Sequence, residues 1–277
     1  TFLSPVWQQP LALGADLVIH STTKYLNGHS DVVGGAVIAA TAELHEQVRW
    51  WGNCIGVTGA PFDSFLTLRG LRTLHARMRA HGENAQRIAE LLTRHPAVGR
   101  VYYPGLASHP GHDIAQRQQR GFGAMVSFEL MGGVGNVKAL LGGMELFSLA
   151  ESLGGVESLI AHPASMTHAA MDEAARERAG ISATLVRLSI GIEEGDDLEP
   201  PVAGQAHALR EVRLDRELAR ERVAEGREVA DVGVLPDEAR ERGEQRGEQQ
   251  AGHPAVEPVG DPRVVGLDEV VVHGRLD

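Results

Sequence analysis

The chain has 277 residues, 43% of them hydrophobic, and a formal net charge of −11. That length supports one large domain or two smaller ones with a real core, and that acidity argues against non-specific nucleic-acid binding, which wants a basic surface. No apolar run approaches the length of a membrane span, no signal-peptide pattern is visible, and the single Cys54 cannot close an internal disulfide, so a reducing cytoplasm is the expected compartment. The expected partners are small molecules rather than nucleic acid or membrane. A local pocket on an acidic protein can still attract an anion.

The first part reads as α/β. Asp16 to His20 is a short apolar strand, and Gly34 to Ala40 is nearly all apolar, as strands buried on both faces tend to be. Thr41 to Trp51 has Leu44, Val48 and Trp51 at helical spacing. Ala60 to about Leu92 predicts a long helical stretch opened by Pro61, with Phe65, Leu68, Leu71 and Leu74 as a core stripe. A domain boundary is expected around His81 to Glu83. Beyond it, Val98 to Tyr103, Ala124 to Leu130 and Thr184 to Ile190 read as strands of alternating apolarity, with helices near Val137 to Leu141 and Met171 to Ala179. The alternation predicts a second, smaller α/β domain whose sheet is covered by helices on one face. Gly132-Gly133-Val134-Gly135 lacks the dinucleotide fingerprint and marks a turn after a strand.

After about Leu198 the composition changes. From Pro201 to Asp277 there is no Ser, Thr, Asn, Lys, Ile, Met, Cys, Phe, Tyr or Trp. Without aromatics and with such a density of charge, the segment can hardly build a core of its own. It is expected to be a disordered tail or the product of a shifted reading frame. The second reading is favoured, because a natural disordered tail would usually contain serine or threonine.

The chain contains only two lysines, Lys24 and Lys138. Lys24 lies in Ser21-Thr22-Thr23-Lys24-Tyr25-Leu26-Asn27-Gly28-His29, directly after the apolar Leu17-Val18-Ile19. Hydroxyls at a strand end can hold a phosphate, and an amine can form a Schiff base with an aldehyde, which is the pairing that pyridoxal phosphate needs. Arginine supplies positive charge elsewhere, and a guanidinium cannot lose its proton to attack a carbonyl. The alternative is an ordinary surface lysine at a strand end. His109-Pro110-Gly111-His112-Asp113 and Gly28-His29-Ser30-Asp31 contain metal-ligand types, but neither belongs to a fuller set with recognisable spacing, so no metal is expected.

The run Ala15 to Asp31 resembles the lysine signature of the Cys/Met-metabolism pyridoxal-phosphate enzyme family. Further blocks resemble it in the same order: Gly56 to Gly59, Phe62-Asp63-Ser64, Leu68 to Leu74, Gly121 to Phe128, Glu151 to Leu159, Met166-Thr167-His168 and Arg187 to Glu193. The resemblance covers Thr1 to about Leu198. It implies the C-terminal part of an aspartate-aminotransferase-like (fold type I) large domain at 1–82, a smaller α/β C-terminal domain at 83–199, and an aberrant tail at 200–277. It implies that Lys24 carries the cofactor and shuttles protons, that Ser21 and Thr23 donate to the cofactor phosphate, and that Ser152 and Arg187 hold the substrate α-carboxylate. A guanidinium meets a carboxylate as a two-point fork, which suits that last role. Arg187 also interrupts the apolar strand Leu185 to Ile190, as a residue directed into a site would; the alternative for Arg187 is an outward-facing strand residue, and Ser152 alone is an unremarkable loop serine.

Glu151 bears on reaction type, since members cleaving at the γ-carbon often carry an acid here and β-cleaving members a bulky aromatic. The implied activity is transsulfuration in methionine biosynthesis: cysteine replaces the acyl group of an O-acylhomoserine at the γ-carbon, giving cystathionine. Cleavage of cystathionine at the γ-carbon is the alternative, as is a non-catalytic product of a disrupted gene. The resemblance also implies a homotetramer with sites shared between subunits. The family's aspartate for the pyridine nitrogen lies in an Asp-Asn-Thr-Phe-like run, which aligns with Thr1-Phe2 so that the aspartate falls upstream; Asp16 is no substitute. The chain is therefore expected to be a fragment, inactive and unstable alone. The encoding DNA is expected to show a frame change near the codon for Leu198. An intact frame with this tail recurring in close relatives would overturn that reading.

Overall fold

The structure is a computed structural model describing residues 1–144 and 146–199, together with the backbone of 269–271. All of these lie within one compact unit. Apart from 269–271, the expectations for 200–277 lie outside the described residues.

The chain opens with a short helix α1 (Ser4–Trp7) and a 3-10 turn (Pro10–Leu13). Strand β1 (Leu17–Ser21) then pairs antiparallel with β2 (Gly35–Ala39), in a register running from Leu17 opposite Ala39 to Ser21 opposite Gly35. Helix α2 (Ala42–Ile55) starts where the Thr41 hydroxyl accepts the Leu44 N–H and ends at Gly56, whose φ of 75° is the left-handed cap glycine favours. Helices α3 (Pro61–Leu71) and α4 (Leu74–Arg94) follow. Strand β3 (Val98–Tyr102), helix α5 (His112–Gln118), β4 (Met125–Leu130) and helix α6 (Val134–Gly143) come next, with Gly132 and Gly133 both at positive φ in the turn before α6. The chain continues through β5 (Ser148–Leu149), β6 (Leu159–Ala161), α7 (Glu173–Arg178), β7 (Leu185–Ser189) and a helical turn at 195–199. The second sheet has the order β3-β4-β7-β6-β5, antiparallel except between β5 and β6.

Helix α4 organises the core. Leu74, Met78, His81, Ala85, Ile88 and Leu92 recur at alternating steps of four and three, and all six are buried. That stripe faces Val126, Phe128 and Leu130 of β4 and Val186 and Leu188 of β7 within one apolar cluster. Strand β4 alternates half-buried and buried residues, as a sheet with one covered face requires.

Several expectations need correction. The helix predicted over Ala60 to Leu92 is broken at Arg72–Thr73, where Thr73 has ψ of 2° and its hydroxyl donates to the Gly70 carbonyl, a local bond that competes with the helical ladder. The predicted core stripe divides: Leu74 is buried, but Phe65 and Leu68 are 59% and 51% exposed. Likewise Leu17 and Ile19 of the short apolar strand β1 are exposed, so its apolar residues are covered on one face only. Apolarity marks a face that has to be covered and does not say by what. Within the tail, Glu269–Val271 forms a strand β8 parallel to β2. A run of valines is a strong strand former even in a charged setting.

His81 is fully buried; Nδ1 donates to the Ile190 carbonyl at 2.7 Å while Nε2 has no partner among the described residues. Burial pushes its pKa down to about 4, against the help of the Ile190 carbonyl. An unfolded histidine titrates near pH 6.5, so the unfolded chain takes up a proton that the folded one refuses. His81's contribution is therefore complete above about pH 6.5 and is lost as pH falls towards 4, by about 3 kcal/mol. His20, pushed down to about 4 by burial and the Thr1 amine, acts in the same direction. Urea unfolding at pH 7.5 and pH 5 is expected to show a smaller acid loss for His81→Phe than for the parent chain. Equal losses would refute the assignment.

Candidate active site

The site is built where β1 ends. Ser21, Thr22 and Thr23 leave the strand and lie against Gly34: the Thr22 N–H donates to the Gly34 carbonyl at 2.8 Å, and the Gly34 N–H donates to Thr23 Oγ1 at 3.0 Å. The Ser21 N–H donates to the Thr1 hydroxyl at 3.1 Å. Residues Thr22–Leu26 wind into one wide π-type turn, with Lys24 at φ −92° and ψ −134°, outside helical values. Strand, hydroxyls and lysine are therefore contiguous, with the amine carried out of the helical path.

Lys24 Nζ donates to Ser152 Oγ at 2.9 Å. Burial lowers its pKa below the ordinary lysine range, and the nearby Arg187 guanidinium lowers it further. Arg187, on β7, directs Nη2 to the Glu151 carbonyl at 2.7 Å and the Ser152 carbonyl at 3.4 Å. Burial lowers its pKa, which the Glu151 carboxylate partly offsets. Lys24, Ser152, Arg187 and Glu151, far apart in sequence, thus form one cluster. In this structure the Ser152 hydroxyl faces the lysine, and Arg187 uses one nitrogen on the loop backbone. Ser21 and Thr23 stand at the strand end just before the lysine, with Thr23 already engaged by Gly34.

The loop carrying Glu151 and Ser152 is held from several sides. The Gly154 N–H donates to Ser189 Oγ at 3.0 Å, and the Ile192 N–H donates to the Val156 carbonyl at 2.9 Å. Glu193 accepts from both the N–H and the hydroxyl of Ser158, and Ser30 donates to Glu157.

One central residue was not anticipated. Arg77 is buried on α4 and donates to the Tyr25 carbonyl at 2.9 Å, the Gly70 carbonyl at 2.8 Å and the Thr73 hydroxyl at 3.1 Å. It ties the turn carrying Lys24 to the junction of α3 and α4. The available signal was its position: three residues after Leu74 and one before Met78, it interrupts the apolar stripe. The two histidine motifs serve turns, with His109 Nδ1 accepting the Gly111 N–H, His112 Nδ1 donating to the Pro104 carbonyl and His29 Nδ1 donating to the Asn27 carbonyl. Among the described residues no group of three or more His, Cys, Asp or Glu side chains is arranged to hold a metal.

Residues 1–203 match the family described as Cys/Met metabolism PLP-dependent enzyme. The chain is 61% identical over 198 residues to the cystathionine γ-synthase of Escherichia coli K12, covering 72% of this chain and 51% of that protein. It is 55% identical over 199 residues to a cystathionine β-lyase of Coxiella burnetii, covering 72% and 51%. Among solved structures it resembles cystathionine γ-synthase of Xanthomonas oryzae pv. oryzae in complex with cystathionine, with TM-score 0.72, 66% identity and coverage of 76% of this chain and 55% of that one. The chain spans about half the length of the curated relatives it matches.

Replacing Arg77 removes the guanidinium donor to the Tyr25 carbonyl and one of several donors to the Gly70 carbonyl, which keeps the Thr73 N–H and hydroxyl. Arg77→Met is expected to cost on the order of 3 kcal/mol in urea unfolding, and Arg77→Lys to recover only part, because one ammonium cannot span three acceptors in two directions. An Arg77→Met chain as stable as the parent would remove Arg77 from this role.

Proposed function

The chain belongs to the Cys/Met metabolism PLP-dependent enzyme family, and we propose that its site serves γ-replacement: cysteine displaces the acyl group of an O-acylhomoserine, giving cystathionine. The observation that carries this reading is the Lys24–Ser152–Arg187–Glu151 cluster around an amine whose pKa is already lowered. The donor set fits pyridoxal phosphate, with hydroxyls of Ser21 and Thr23 for its phosphate and Lys24 for its aldehyde. When bound, that cofactor supplies an electron sink for negative charge at the substrate Cα.

The remaining roles fall to side chains. Arg187 orients the substrate carboxylate, setting the Cα–H bond towards Lys24. The lysine amine, with its proton affinity reduced by burial, takes that proton and moves protons along the substrate as the acyl group leaves the γ-carbon and the cysteine sulfur adds there. Ser152 holds the amine between transfers. Glu151, at the exposed rim, attracts the ammonium of incoming cysteine; its acidity supports γ- over β-chemistry. Cleavage of cystathionine at the γ-carbon is the second reading, favoured by the 53% identity to a γ-lyase of Dictyostelium discoideum. In this proposal residues 1–82 are the remainder of a type I cofactor domain, 83–199 a small domain, and the working assembly is a tetramer in the cytoplasm.

Because the chain carries only Lys24 and Lys138, cofactor selection can be read residue by residue. Incubation with pyridoxal phosphate, borohydride reduction and peptide mass spectrometry are expected to label Lys24 and spare Lys138. Equal labelling of both, or none, would count against a cofactor site formed by these residues. In a full-length form, product from O-acylhomoserine plus cysteine, exceeding turnover of cystathionine alone, is the expected balance; the reverse would favour the lyase.

A further inference from the structure

The loop bearing Ser152 touches the lysine turn at more than one place. Gly154 has φ +78°, and a side-chain carbon there would lie 2.8 Å from the Tyr25 backbone nitrogen and 3.1 Å from its ring. The loop backbone therefore rests directly on the residue after Lys24, at a position open only to glycine. Tyr25 is itself fully buried, with its ring edge-on to His81 at 5.1 Å. What keeps the loop on that platform is the bond from the Gly154 N–H to Ser189 Oγ, at 3.0 Å and buried. Ser189 is the last residue of β7 and lies two positions beyond Arg187, so both side chains leave the same face of the strand. Arg187 grips the loop at the carbonyls of Glu151 and Ser152, and Ser189 grips it at Gly154.

We infer that Ser189 is a positioning residue for the lysine: its hydroxyl fixes Gly154, which fixes the loop whose Ser152 hydroxyl holds the Lys24 amine. The inference relies on the proposed function only for its catalytic consequence, since the geometry stands without it. The Ser189 hydroxyl has no role in pairing the strand, whose backbone is matched to β4 and β6 independently of any side chain. Without that hydroxyl the Gly154 N–H is left buried and unpaired, and the loop lifts to find another acceptor. Ser152 moves with it, and the amine gains water. The charged group beside the amine is Arg187 on β7, which in turn lies beside Glu151 in the loop, and the test leaves both in place.

The test is competitive acetylation of the 277-residue chain with trace acetic anhydride from pH 7 to 11, read by mass spectrometry with exposed Lys138 as internal reference. In the parent chain Lys24 is expected to titrate below Lys138. Ser189→Ala is expected to raise the Lys24 midpoint by about half a pH unit or more as burial is relieved, and Ser189→Thr, which keeps the hydroxyl, to retain the low midpoint. Val186→Ala, a buried change on the same strand, is expected to lower the melting temperature without moving the midpoint. An unmoved Lys24 midpoint in folded Ser189→Ala, or an equal shift in Val186→Ala, overturns the inference. If Ser189→Ala does not fold, Ser189→Cys, with the same shape and a weaker acceptor, is expected to give a smaller upward shift; its failure to fold also overturns the inference, because the hydroxyl is then a general packing requirement. These readings are made without cofactor, so a failure of Lys24 to take pyridoxal phosphate would undermine the proposed function and leave this result standing.

Discussion

A buried guanidinium holds this structure's working part together. Arg77 reaches the carbonyl of Tyr25, one residue past the lysine, and the carbonyl of Gly70 at the end of α3. A wide turn such as Thr22–Leu26 is a single turn, closed by bonds such as that from the Asn27 N–H to the Thr22 carbonyl, and it gains support from outside. A planar group with donors in fixed directions does this better than a flexible ammonium. Close approach of backbone completes the joint: a side chain at Gly28 would collide with the Arg77 guanidinium, and one at Gly70 with the backbone of Leu26 and Asn27. Helix α4 transmits this constraint, since the same helix buries its apolar stripe against the second sheet.

From that joint the site follows by short steps. The turn fixes Tyr25, Tyr25 supports Gly154, and the loop through Gly154 presents Ser152 to the lysine amine. Strand β7 closes the arrangement from the other side through Arg187 and Ser189. The second sheet therefore contributes more than bulk, because the alternation along β7 sends two polar side chains to one loop while Val186 and Leu188 go to the core.

Much of this was legible in the residues. Strands β1, β2, β3, β4 and β7 fall within a residue or two of their expected spans, because their apolar runs are long enough to show a period. Strands β5 and β6 and helix α5 were not anticipated; Ser148–Leu149 and Leu159–Ala161 are too short to carry periodicity, and His112–Gln118 has few apolar residues. Lys24 stood out from composition and local chemistry. The gathering of Glu151, Ser152 and Arg187 around it came from resemblance, since no spacing rule connects residues so far apart. Arg77 and Ser189 were overlooked for a physical reason: an arginine on a charged helix and a serine in a strand look ordinary until burial is known. The exposure of Phe65, Leu68, Leu17 and Ile19 was equally hidden, since burial is decided by what a face meets.

The first sheet has the order β1-β2-β8, which leaves β1 at its margin, with β2 as its partner among the described residues. One side of β1 thus presents backbone donors and acceptors outward, the geometry that accepts another extended segment. The same five residues end in the hydroxyls that lead into Lys24. A segment laid along that margin would damp the rocking of its peptide planes, and the amine three residues beyond would inherit the stiffness. The strand is at once the margin of its sheet and the stem of the reactive group.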